Sequence, residues 1–100
     1  MNAFTTIKSA DAIRTFIPGI DEAEYELRAK LQTMRNCAAA MIAKTESNTA
    51  RALAWICSDY STSHIYAGVT DAELNEITRI CHRLLVTAMH AEAIDEGTRS

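Results

Sequence analysis

The chain has 100 residues, 48% hydrophobic and 23% charged, with a formal net charge of −3, which describes one globular domain with a real core and excludes a disordered chain. Basic and acidic residues balance in the first fifty positions, six against six, and the acidic excess, seven against four, lies in the second fifty. No basic patch is available to a phosphate backbone, and three Gly with one Pro leave few turns, so direct nucleic-acid binding is not expected and the fold class is all-α.

Residues 1–8 read as a lead-in. Ser9 can cap a short helix over residues 10–17, stopped by Pro18-Gly19. A helix that short is not stable alone and must dock on the others, with Phe4, Phe16 and Ile17 as the expected anchors. Asp21 begins the second helix. Asp21-x-x-Glu24 has capping-box spacing, and Ile20 with Tyr25 resembles a hydrophobic staple. This helix is expected to reach about residue 43, with Leu27, Leu31, Met34, Ala38, Met41 and Ile42 on one stripe. Arg28 and Arg35 flank the stripe, their stems covering its edge while the guanidinium groups reach water. The run 38–40, three alanines, suits close approach of another helix, either inside the fold or at a dimer seam.

Residues 44–48 (KTESN) form a polar turn in which Thr45, Ser47 and Asn48 can each cap the next helix. The third helix is expected over residues 49–60, with a continuation to Tyr66 left open, where Gly68 is placed as a C-terminal cap. Leu53, Ile56, Cys57 and Tyr60 are expected to face the core. Trp55 lies about 200° round the helix from Leu53, on the side of Arg51, Asp59 and Thr62, and Tyr66 joins that side if the helix persists. The segment 58–64 (SDYSTSH) is rich in residues that compete for backbone hydrogen bonds, so a kink or fraying is expected there.

The fourth helix is the clearest and was expected to organise the rest. Thr70-x-x-Glu73 has capping-box spacing, Val69 and Leu74 stand where a staple belongs, and Asp71, Glu73 and Glu76 put negative charge near the helix N-terminus. Apolar residues recur at helical spacing through residue 94: Leu74, Ile77, Cys81, Leu84 and Ala88, with Ile80 and Ala91 alongside. Val86 lies nearly opposite Ile77, and Met89 beside the main stripe. They are either part of a helix packed on two sides or a contact surface for a partner. Arg79, Arg83 and His90 line the remaining side, read as a solvated face or as a contact to an acidic partner. Residues 95–100 are polar and expected to be a flexible tail. The architecture expected is a compact bundle of three long helices plus one short N-terminal helix, a single domain over residues 1–100.

Chemistry finds little purchase in this sequence. There is no E-x-x-H or H-E-x-x-H spacing, and Cys81 and His82, being adjacent on a helix, point about 100° apart, so no metal or other cofactor is expected. Cys57 precedes His64 by seven residues, but a thiol on an apolar face has a raised pKa, and no glycine-rich turn supplies an oxyanion hole. An enzyme is therefore not expected. No basic amphipathic helix, leader-like N-terminus or long apolar run is present, so neither membrane binding nor export is expected. Three cysteines without C-x-x-C, each on or near an apolar face, suit reduced thiols in the cytoplasm.

Surface recognition remains. Trp and Tyr are enriched where binding energy concentrates, so Trp55, with Asp59 and Tyr66 on its side, is the leading candidate unless the first helix covers it. Arg79, Arg83, Val86 and Met89 are the further candidates. In size, acidity and lack of catalytic residues the whole chain resembles the small acidic helical accessory proteins of phages and mobile elements, anti-CRISPR inhibitors among them. The resemblance implies a non-catalytic protein that binds a host surveillance complex, a protein or nucleoprotein partner, and blocks its DNA binding. The competing expectation is a small structural or assembly protein acting as a homodimer through Val86, Met89 and the alanine run.

Overall fold

A computed structural model of the chain describes residues 11–99. Every regular element among them is a helix: α1, Asp11–Phe16; α2, Glu22–Lys44; α3, Asn48–Ile65; and α4, Asp71–Arg99. The fold is the all-α bundle expected, with three long helices packed on one another and a short helix before them. Phe4 and the lead-in 1–8 lie outside the described residues.

The helix starts follow local chemistry. Asp21 caps α2 by accepting from the Glu24 amide at 2.8 Å. Only half of the expected box forms, because the Glu24 carboxylate turns instead to Arg28, 2.9 Å away. Ser47 caps α3, accepting from the Ala50 amide at 3.1 Å, while Thr45 closes α2. The box of α4 is complete: the Glu73 amide donates to the Thr70 hydroxyl at 3.2 Å, and the Thr70 amide donates to Glu73 Oε1 at 3.0 Å. The Thr70 hydroxyl also donates to Glu73 Oε1.

These bonds from the Thr70 amide and hydroxyl hold the Glu73 carboxyl below its ordinary value of 4.5. A depressed carboxyl stabilises the fold above its unfolded value, and that contribution is lost as pH falls through the folded value. A carbon-detected NMR titration should therefore place the Glu73 midpoint below 4.5 in the native chain and return it upward in Thr70→Val. Identical midpoints in the two chains would contradict this account of the cap.

α3 makes the most extensive contacts, against α2 on one side and α4 on the other, while α2 and α4 touch each other less. α4 touches both α2 and α3, but Val86 and Met89 stay exposed on it, and the centre belongs to α3. Arg28 meets Ile65 and Arg35 meets Thr62, so α2 and α3 run antiparallel. The buried stripe of α3 is Ala50, Ala54, Cys57, Ser61 and Ile65. It is not the expected set: Leu53 and Tyr60 are half-buried, and Ile56 is 54% exposed. Helices in contact lie about 8–10 Å apart, and a helix held between two others at that spacing presents its small side chains inward. Ala38 of α2 and Cys81 and Ala88 of α4 are buried with them.

The polar end of α3 does not fray. Its hydroxyls bond back along the helix, Ser61 to the Cys57 carbonyl and Ser63 to the Asp59 carbonyl, both at 2.8 Å. The helix therefore continues to Ile65, with Tyr66 as the C-cap. Gly68 does not provide a left-handed cap; Gly19, with φ 77°, is the residue that turns the chain out of α1.

Three further expectations change. Arg28 does not reach water: it is 3% exposed, and its guanidinium donates to the Ile65 carbonyl at 2.6 Å and to Glu24. α1 is anchored by Ala12 and Ile13, both buried, whereas Phe16 is exposed and Ile17 half-buried. α1 is also tied to α2 by Arg14, which lies 3.8 Å over the Tyr25 ring and 3.3 Å from Glu22. The polar residues 95–99 continue α4, where the sequence reading ended it at residue 94. Among the described residues, no helix is long and apolar enough to cross a membrane.

Candidate interaction surface

Trp55 stands outside the small-residue stripe because it sits one position past Ala54 on α3, rotated about 100° from it. It is 51% exposed. α1 does not cover it. Asp59, Thr62 and Tyr66 follow at spacings of four, three and four, so all four side chains share one side of α3, and all four are exposed. The strip is about 16 Å long at 1.5 Å per residue. α1 completes its far end: the exposed Phe16 ring lies 5.1 Å from the Tyr66 ring, tilted at 52°. Arg35 of α2 edges the middle, donating to the Thr62 hydroxyl at 3.0 Å. The strip thus carries aromatic surface at both ends, a carboxylate between them and a cation at its margin.

The α4 candidates do not join it. Leu53 and Trp55 lie about 200° apart on α3, and Leu53 belongs to a separate groove between α3 and α4. That groove has a volume of about 420 Å³ and is lined by Leu53, Ile80, Leu84 and Thr87, with Glu76, Arg79 and Arg83 around it. Val86 and Met89 are exposed on α4, but they do not line the groove. Met89 is rotated about 120° from Arg83, toward α2. The seven candidate residues therefore do not form one surface: Trp55, Asp59 and Tyr66 lie on the strip, Arg79 and Arg83 at the groove, Val86 at its margin about 20° round α4 from Arg79, and Met89 further round.

Phe16, Ile56 and Ile80 are exposed, against the expectation that the first two face the core and the third edges the core stripe. The available signal was the width of the apolar arc on each helix, which exceeds what one contact can bury.

The thiols are arranged for packing. Cys37 is exposed, contrary to expectation, whereas Cys57 and Cys81 are buried. The Cys57 thiol donates to the Cys81 carbonyl at 3.6 Å. The hydrogen bond with Cys81 holds the Cys57 thiol below its ordinary value, against the raised value expected, and the same bond with burial pushes Cys81 well above its own. His64 lies seven residues beyond Cys57 on the same helix, roughly 10 Å of rise, and its Nδ1 donates to the Tyr60 carbonyl at 2.8 Å. The Cys57–His64 pair considered from sequence is not brought together. Among the described residues, no three His, Cys, Asp or Glu side chains are grouped to hold a metal ion.

Comparison with known protein families, characterised proteins and solved structures gives no match. The functional reading therefore rests on the surfaces themselves.

Proposed function

We propose that this chain is a non-catalytic interaction protein that binds a protein or nucleoprotein partner through the α3 strip. The observation that carries the reading is the exposed Trp55, aligned with Asp59 and Tyr66 and extended by Phe16. An aromatic that is half-exposed in the free protein can gain much burial on binding, and such residues concentrate interface energy. The two buried reduced thiols, Cys57 and Cys81, fit a cytoplasmic setting.

The sharper form of the proposal is an inhibitor of the anti-CRISPR type. The net charge of −3, with its acidic excess in the second half, supports competition with nucleic acid for a basic groove on the partner. Affinity capture should then recover a host nucleoprotein complex, and the captured complex should bind its target DNA more weakly as the protein is added. Undiminished DNA binding at saturating protein would overturn the inhibitor reading while leaving the interaction reading to its own test.

The homodimer is the second reading, favoured by the exposure of Val86 and Met89 on α4. A mass measurement at low micromolar concentration tests this reading: a dimer supports the α4 seam, and a monomer counts against it.

A further inference from the structure

We infer that the groove between α3 and α4 is a second docking site, for an acidic amphipathic helix of a partner protein. It lies on the other side of α3 from the aromatic strip, and it does not depend on the strip being an interface.

The floor is apolar. Leu53 comes from α3 and Ile80 and Leu84 from α4, and the volume is about 420 Å³. Ile56 lies one turn beyond Leu53 on the same side of α3 and is 54% exposed, and Ile80 is also exposed. An exposed Ile80 in the trough, with Ile56 exposed one turn from Leu53, is a costly surface to leave in water. The two match the row of apolar anchors that a helix at spacing i, i+3 or i+4, i+7 lays into such a trough.

Charge decides the occupant. Arg79 and Arg83 stand at the groove four residues apart, so one turn of helix carries two guanidinium groups on one side. Arg79 shares an exposed pair with Glu76 at 3.5 Å. No carboxylate among the described residues pairs with Arg83. The groove is therefore a cationic place on a chain of net charge −3. An apolar helix flanked by Glu or Asp satisfies both the trough and the arginines, and guanidinium forks suit carboxylates. A helix flanked by Lys would bury its anchors against like charge, and a second copy packed groove on groove would set Arg79 and Arg83 against their own counterparts.

The probe is a synthetic helical peptide with Leu at i, i+4 and i+7 and Glu on both flanks, compared with the same peptide carrying Lys for Glu. Binding is followed on the full chain by amide and methyl NMR shifts. The Glu peptide should shift Leu53, Ile56, Ile80 and Leu84 and leave the Trp55 indole in place. Arg79→Glu/Arg83→Glu should weaken it about tenfold and turn the preference toward the Lys peptide. Ile80→Ser should weaken both peptides. Trp55→Ala should change neither, so loss of the strip reading and loss of the groove reading give different results. Each chain is first shown to keep its thermal midpoint. The proposal is overturned if the Lys peptide binds the native chain equally well, if the shifts gather around Trp55 and Tyr66, or if neither peptide shifts the groove. It is also overturned if the groove resonances move with protein concentration alone, which would make a second copy the occupant.

Discussion

Replacing Arg28 with Met is expected to lower stability by about 2–4 kcal/mol, the cost of breaking a buried, hydrogen-bonded charge pair. Arg28 comes from the first third of α2, yet its guanidinium reaches the last turn of α3, where it donates to the Ile65 carbonyl at 2.6 Å. That carbonyl belongs to the end of a helix, where no intrahelical amide remains to bond it and the helix dipole is negative. The same guanidinium donates through Nε to Glu24, one turn back on α2. Arg28 is 3% exposed, so water cannot replace it at the buried Ile65 carbonyl, although the Glu24 carboxylate is partly open to water. Methionine keeps the length of the stem but leaves the carbonyl and the carboxylate without their donor. Lysine restores a charge but is a single point donor and cannot span both acceptors, so Arg28→Lys should recover only part of the loss. Urea unfolding measures both. A loss under about 0.5 kcal/mol in Arg28→Met, the range of an ordinary surface change, would contradict this role.

Ala54→Leu should cost about 3 kcal/mol, at the upper end of overpacking costs because the residue lies in the stripe of the central helix. Ala54 is fully buried on α3, the helix with neighbours on both sides. A leucine adds three carbons to a fully buried position between helices, so the helices must separate or the side chain must leave the stripe. Ala52 offers an internal control. It is two residues away on the same helix and exposed, so Ala52→Leu should change stability by no more than about 0.5 kcal/mol. Comparing the two by chemical denaturation isolates the role of the small-residue stripe from helix propensity, which is the same in both. Equal costs would show that close approach at α3 does not hold the bundle together.

What could be read from the sequence was what depends on neighbours within one helical turn. Asp21, Ser47 and the Thr70–Glu73 pair cap their helices because each bond spans three residues, and such spacing is visible without a fold. The outward direction of Trp55 was legible for a related reason: it follows from angle along one helix. The α3 core was not. Apolar character picks out Leu53, Ile56, Cys57 and Tyr60, of which only Cys57 is fully buried, whereas the space between three close helices also selects Ala50, Ala54 and Ser61. The role of Arg28 was hidden because its partner is 37 residues away. Phe16 was placed in the core by its size alone, but α1 is only six residues long and buries Ala12 and Ile13 instead, leaving the ring beside Tyr66. The groove was missed because its two walls come from different helices, and each wall alone looks like the edge of a core stripe.

The most direct test of the interaction reading compares affinity capture from host lysate by the native chain and by Trp55→Ala/Tyr66→Ala, with matched thermal unfolding curves. The account predicts a specific partner retained by the native chain and reduced by about tenfold or more in the double variant, since the loss of one aromatic at the centre of an interface often costs 2 kcal/mol or more. The same partner retained equally by both chains would contradict the claim that the α3 strip is the contact surface.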